Sequence, residues 1–177
     1  CSMLVVALLA SASAGAATVT WTLDNVILAD GGTATGSFVY DVSTNIYSSI
    51  SIVTSATLSW NSTTSYGVVD VAPSITTPAQ VAFINTANAG ALPDRSFAYR
   101  LLLFFSSPLT DAGGTVSLIH SPPSAEMFCV SPSCIPPAVL RTIVSGQVTG
   151  IAPVVPVPAA AWLFGSGLGI MAWLRRG

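Results

Sequence analysis

The sequence predicts an all-β protein, a β-sandwich or jelly-roll-like body between two apolar terminal segments. Three observations predict it. Ser, Thr, Gly, Val and Ala dominate the composition, and β-branched residues pack well on a pleated surface. Apolar residues alternate with polar ones in short runs bounded by turn residues. No stretch of the body carries the period of an amphipathic helix. Of the 177 residues, 51% are hydrophobic and only 7% charged, whereas an average soluble domain has about 25% charged residues.

Thr18 to Leu28 reads as the first strand. Val19, Trp21 and Leu23 share one face, and then the parity changes so that Val26 and Leu28 continue it. A bulge near Asp24-Asn25 accounts for the change. Asp30-Gly31-Gly32 is a turn, because glycine supplies the positive φ of tight hairpins. Thr33 to Val42 is the return strand, with Phe38, Tyr40 and Val42 on one face. Ser43-Thr44-Asn45 turns the chain into a third strand, Tyr47 to Leu58, with Ile50 and Ile52 inward.

From Trp60 to Gly90 the pattern weakens, since Pro73 and Pro78 interrupt any long strand. Short strands are expected at Tyr66 to Val71 and Gln80 to Ile84. Phe97 to Phe105 is the strongest strand signal. Phe97, Tyr99, Leu101, Leu103 and Phe105 share a face while Leu102 and Phe104 are apolar on the other, which suits a central strand. Asp111 to Gly114 turns into a strand at Thr115 to His120. Ser121 to Pro137 holds five prolines and two cysteines and reads as an irregular loop. Leu140 to Val148 is the last strand, with Leu140, Val144 and Val148 alternating against Arg141 and Gln147.

Charge excludes one class of partner. The chain has no lysine, and Thr18 to Gly150 holds three arginines against all seven acids, a net charge of about −4. Nucleic-acid binding needs a basic face. Catalytic and cofactor signals are equally sparse. There is no P-loop or dinucleotide fingerprint, and no cofactor or metal is expected. His120 is the only histidine and reads as a surface residue at a strand end. Glu126 and one of the aspartates have the composition of a glycosidase pair, but nothing in the sequence ties them together. Asp30 and Asp111 each lead into Gly-Gly, which favours turn duty over calcium binding. Trp21, Trp60, Tyr66 and Tyr99 are candidates for stacking on sugars, with core packing the default for strand aromatics. Asn61-Ser62-Thr63 has the form of a glycosylation acceptor.

The termini carry addressing signals. Met3 to Ala10 is an apolar run, too short for a bilayer, which takes about 20 residues. Three A-x-A sites follow, Ala10/Ala12, Ala12/Ala14 and Ala14/Ala16. Residues 1–17 therefore read as a secretory signal peptide, truncated at its start because the charged n-region is missing. Removing it takes Cys1 away and leaves Cys129 and Cys134, an even pair in an exported chain, which favours a disulfide.

At the other end, residues 151–158 are proline-spaced, residues 159–174 are apolar and uncharged, and residues 175–177 carry Arg175 and Arg176. That order suits a transmembrane helix with a basic cytoplasmic foot, flanked by interfacial Trp162 and Trp173. The body, residues 18–150, would then lie outside that membrane.

The segment V-P-V-P-A-A-A-W-L-F-G-S-G-L-G, followed by an apolar run and Arg-Arg, resembles the PEP-CTERM sorting signal in its VPLPA variant. The resemblance covers Val155 to Arg176, with Val157 where the family's Glu, or the variant's Leu, would stand. The stretch T-W-T-L followed by A-D-G-G-T-A-T-G-S-F-V-Y-D is similar to β-rich bodies often found with such tails. The resemblance implies recognition by an exosortase, a transpeptidase-like membrane cysteine protease of exopolysaccharide-making Gram-negative bacteria. It places Val155, Pro156, Val157, Pro158 and Ala159 in the sorting and processing motif, with Arg175 and Arg176 as the membrane stop. It also implies a transient stay at the inner membrane, followed by a surface, matrix or biofilm location beside exopolysaccharide. The sequence thus leads to a non-enzymatic exported surface or matrix protein, the alternative being a carbohydrate-binding or polysaccharide-hydrolysing module.

Overall fold

A computed structural model describes residues 18–58, 63–70, 76–85, 87, 96–120, 123–132, 134 and 139–152. The expected signal peptide, most of the sorting segment, the transmembrane helix and Arg175-Arg176 lie outside these residues. So do Trp60 and Asn61.

The described body is all-β. Its strands are β1 (Val19–Leu28), β2 (Thr33–Asp41), β3 (Ile46–Thr54), β4 (Thr64–Val69), β5 (Gln80–Asn85), β6 (Tyr99–Phe104), β7 (Gly113–Ser117), β8 (Ala125–Phe128) and β9 (Val139–Ile151). Every pairing is antiparallel, and β1 pairs with both β2 and β9, so the sheet closes on itself. This is an 8-strand antiparallel barrel in which β7 and β8 share one position. β8 lies against residues 139–142 of β9, and β7 lies against residues 147–151. The bridge from Phe105 to Leu118 ties the same position to β6. Each stave therefore neighbours the next in sequence.

The expectation of an all-β body holds, but the pairing is one closed ring where a two-sheet sandwich or jelly roll was expected. Antiparallel pairing of neighbouring strands runs the whole way round to β1–β9, and closure removes both exposed edges.

The bulge in β1 falls where the parity change places it. The β1–β2 register shifts between Thr22 and Val26, and Asn25 takes a φ of 51°. Val19, Trp21, Leu23, Val26 and Leu28 all point into the core. Phe38, Tyr47, Phe83 and Phe105 pack around one another in the interior, with the Phe38 ring 5.6 Å from Tyr47, 5.5 Å from Phe83 and 6.3 Å from Phe105. Each fully buried aromatic contributes about 1.5–3 kcal/mol of transfer free energy.

Four expectations need correction. Phe97 is not an inward strand residue: it precedes β6, is 68% exposed and has a φ of 64°. β5, with Val81 to Asn85 all buried, is the strand covered on both faces. A strand, β8, forms inside the stretch read as an irregular loop. Finally, the inward face of β9 is Arg141 and Ile143, whereas Leu140 and Val144 are 51% and 47% exposed. The β9 register against β1 shifts between Ile143 and Ser145, which resets the parity so that Val148 is buried again.

The chain enters and leaves the barrel at one rim, because Thr20 pairs with Ile151. That rim also holds the β2–β3 turn. There Asp41 accepts hydrogen bonds from Ser43 N and Oγ and from Thr44 N, and Tyr47 Oη donates to Thr77 O at 2.6 Å. The opposite rim holds the β1–β2, β3–β4, β5–β6 and β8–β9 connections. Cys129 and Cys134 form a disulfide in the last of these, with Cα atoms 4.6 Å apart. Closing so short a loop contributes about 2 kcal/mol in the chain-entropy picture.

Gly36 tests the closeness of β2 and β3. Its φ is 123°, and a Cβ there would sit 2.0 Å from Ser51 O. Gly31 has a φ of 82° with nothing within 4 Å of a Cβ. Gly31→Ala is expected to cost about 1–2 kcal/mol from left-handed strain alone. Gly36→Ala is expected to cost more than Gly31→Ala, because a backbone clash adds to the strain. Urea midpoints of the two variants check the order.

Candidate functional site

The chemistry-bearing residues converge beneath the rim opposite the chain ends. Glu126 lies on β8 and Arg141 on β9, directly opposite each other in the register. Glu126 is 0% exposed and Arg141 4%. Arg141 Nε donates to Glu126 Oε2 at 2.6 Å, and Nη2 lies 2.5 Å from the same oxygen. The other carboxylate oxygen, Oε1, accepts from Thr54 Oγ1 at 2.7 Å and from the Tyr66 hydroxyl. Each oxygen thus has two partners. An ionised carboxylate is tolerated in a barrel interior only when saturated in this way.

The remaining face of Arg141 turns to the β1–β2 hairpin. Nη1 lies 3.2 Å from Asp30 Oδ2, and Nη2 donates to Ser55 O at 3.1 Å. Asp30 also accepts from Gly32 N at 3.1 Å and from Thr57 Oγ1 at 2.5 Å. The Asp30-Gly31-Gly32 sequence therefore serves two ends at once. It makes the turn, in which Gly31 N donates to Leu28 O at 2.9 Å. It also clears space, since a Cβ on Gly32 would meet Arg141 Nη1 at 2.6 Å. Turn duty, the sequence reading of Asp30, is correct but incomplete.

Electrostatics follow from this geometry. Burial opposes ionisation of Asp30, but hydrogen bonds from Thr57, Gly32 and Arg141 and the guanidinium charge outweigh it. The carboxyl is held below its ordinary value of 3.8. Burial pushes the Tyr66 hydroxyl far above its ordinary 10.0, and the neighbouring Glu126 charge and hydrogen bond push it further. Burial does the same to Tyr47.

The other candidates are dispersed. His120 is exposed just beyond β7. Trp21 and Tyr66 are buried in the core, which removes two of the four aromatics considered for sugar stacking. Tyr99 is half-buried against Phe128, with ring centroids 4.9 Å apart. Asp111 is exposed in its turn. A second ion pair, Arg100 to Asp70 at 2.7 Å, joins β6 to the end of β4. Glu126 and Asp30 do not form an acid–base pair open to a substrate, because Arg141 bridges them and both sit against protein. Among the described residues no cluster of His, Cys, Asp or Glu has the makings of a metal site. Val155, Pro156, Val157, Pro158 and Ala159 lie outside the described residues.

Sequence reasoning missed the pairing of Glu126 with Arg141. Their signal was present: an arginine within an apolar strand, and the only glutamate in the chain within a four-residue run before a cysteine. Reading β9 by simple alternation turned Arg141 outward. Comparison with family models, curated proteins and solved structures finds no match to this chain.

Two outcomes follow. Arg141→Met leaves Glu126 buried without its cation and is expected to destabilise the barrel by about 3–5 kcal/mol. The triple change Asp30→Asn, Glu126→Gln and Arg141→Met removes the stranded charges and is expected to recover part of that loss in a denaturant titration. The pH limits have defined signs. The depressed Asp30 value gives stability that is complete above pH 3.8 and is lost as pH falls through the lower folded value. The raised Tyr47 and Tyr66 values give stability that is complete below pH 10.0 and is lost as pH rises beyond it. Tyrosinate absorbance and circular dichroism should therefore change together in alkali. Ionisation of both buried tyrosines in an intact barrel would contradict this.

Proposed function

We propose that this chain is an exported, non-enzymatic surface or matrix protein whose C-terminal segment is a PEP-CTERM-like sorting signal. The observation that carries the reading is the ordered tail: V-P-V-P-A-A-A-W-L-F-G-S-G, an apolar run, then Arg175-Arg176. In this reading an exosortase recognises Val155, Pro156, Val157, Pro158 and Ala159 at the outer face of the inner membrane. Proline-rich backbone stays extended because it lacks the donors a helix needs, so a protease can reach it. The anchor at residues 159–174 is temporary, and the mature protein ends at the cell surface or in an exopolysaccharide matrix.

The barrel is compatible with passive cargo. Its core is filled by aromatic and aliphatic side chains, and its buried charges are paired with one another in place. The disulfide between Cys129 and Cys134 suits an oxidising compartment. The alternative, a polysaccharide hydrolase built on Glu126 and an aspartate, gains nothing from an ion triad turned inward.

Deleting residues 155–159 in the producing bacterium is expected to trap the protein in the inner-membrane fraction. Deleting residues 153–177 leaves the β1–β9 pairing through Ile151 intact and is expected to release an unprocessed barrel without membrane residence. Fractionation and the intact mass of the mature protein read both results. Unchanged release after removing 155–159 would sink the processing step.

A further inference from the structure

Closure of the ring removes the two ends of the sheet, yet within the position shared by β7 and β8 a short run of strand edge stays unpaired. Every other described strand pairs with a strand on both sides, whereas β7 pairs only with β9. The register shows which groups are left. Leu118 N donates to Gly146 O at 3.1 Å. Residues 114, 116 and 118 therefore turn their backbone groups to β9, and residues 113, 115 and 117 turn theirs away. On that outer side two groups are engaged: Ser117 O accepts from Ser106 N at 2.9 Å, and Gly113 N donates to Thr110 O at 3.3 Å. Gly113 O, Thr115 N, Thr115 O and Ser117 N have no partner among the described residues.

Pro108 accounts for the gap. Phe105 bridges Leu118, and the same antiparallel register carried further along the chain would set residue 108 opposite Thr115. Proline has no N–H to offer Thr115 O. Leu109 N instead donates to Pro78 O at 2.8 Å, with its side chain buried. That draws the segment toward the start of β5 and off the edge of β7. Thr115 and Ser117 are exposed, and residues 113–117 carry no charge.

The four free groups select the partner, because they are self-complementary about a two-fold axis at Thr115. Antiparallel pairing with an identical strand lets Thr115 N donate to the partner's Thr115 O and Ser117 N to the partner's Gly113 O, each twice by symmetry. These bonds use each free group once and need none that is already engaged. Thr115 then faces the partner's Thr115, a favourable cross-strand pair. Asp111 and His120 are exposed beyond opposite ends of β7. The same axis turns each carboxylate toward the end that carries the partner's His120, whose ring offers an N–H donor in either protonation state.

We propose that β7 pairs with β7 of a second copy of this chain, joining two barrels through one continuous sheet. The pairing itself is independent of the sorting reading, but one consequence rests on it. A two-fold axis perpendicular to the sheet points the two chain-end rims in opposite directions. Two precursors anchored in one membrane could not pair in this way, and release from the anchor would permit it.

The test is disulfide trapping in the full chain in detergent, in a Cys1→Ser background. Hydrogen-bonded antiparallel partners have Cα atoms about 5.5 Å apart, within the span of a disulfide. Thr115→Cys should give a covalent dimer on air oxidation, and Thr35→Cys, exposed on the outer face of β2, should not. Sedimentation equilibrium of the chain without the added cysteine should show a concentration-dependent dimer. Thr115→Pro removes a donor that the barrel does not use and should raise the dimer dissociation constant about ten-fold, since two hydrogen bonds are lost per dimer. Thr115→Arg keeps the donor but sets like charges face to face, and should weaken the dimer even where proline disturbs β7. Thermal melts check that each variant folds. Thr115→Cys that couples no faster than Thr35→Cys, a monomer at every concentration, or a dimer that survives both Thr115→Pro and Thr115→Arg would each overturn the pairing. Tail-dependent localisation is read by fractionation and stands or falls separately.

Discussion

The guanidinium of Arg141 is the constraint around which the barrel is arranged. It sits between two carboxylates from opposite ends of the chain, Asp30 on the first hairpin and Glu126 on β8. Buried charge of this kind adds little net stability compared with a well-packed apolar substitute, but removing one partner is severe. The triad is therefore better understood as a specifier of closure. Only one register of β8 against β9 sets Glu126 opposite Arg141, and a one-residue slip would turn either side chain to the outer face. Gly32 and the Asp30 turn are shaped to admit the same guanidinium.

The barrel is layered along its axis as a result. A belt of aromatic and aliphatic side chains fills the middle. Beneath the far rim the polar plug of Thr54, Tyr66, Glu126 and Arg141 takes over. At the near rim Tyr40 donates to Asn45 Oδ1 at 2.9 Å and Tyr47 to Thr77 O. Inward-facing tyrosines resolve the change of polarity at both ends, since each offers an apolar ring to the belt and a hydroxyl to the polar layer.

Much of the fold was legible. The parity change at Asp24-Asn25, the Asp-Gly-Gly hairpin and the inward Val19, Trp21, Leu23, Phe38, Tyr40 and Ile52 follow from local pattern alone, whereas Val42, expected on the face of Tyr40, is 37% exposed in the turn after β2. The error in β9 comes from a bulge. In β9 a single extra residue between Ile143 and Ser145 reverses the face of everything before it, so alternation counted back from Val148 placed Leu140 inside and Arg141 outside. Phe97 failed for a related reason, because a left-handed residue ends the extended run that its composition promises. Closure into a ring was illegible for another reason. It depends on the pairing of Thr20 with Ile151, a contact between the two ends of the body that no short window contains. The ion triad was hidden by the same distance, since Asp30 and Arg141 meet only once β1 and β9 are side by side.

That distance has a consequence for how the body matures. β9 supplies the closing strand, the counter-charge for Glu126 and Asp30 and the partner of β1, β7 and β8. It is also the last of the described strands. Until residues 139–151 are available, Glu126 has no cation and β1 presents an open edge, which is an aggregation hazard. Contacts between sequence-distant strands form slowly because loop-closure entropy comes first. A chain crossing a membrane N-terminus first would therefore hold an incomplete barrel until its final strand emerged. Only a short proline-spaced segment separates Ile151 from the apolar run at residues 159–174. Under the sorting reading proposed above, a signal in that position would be read only after the residues that close the fold had been delivered.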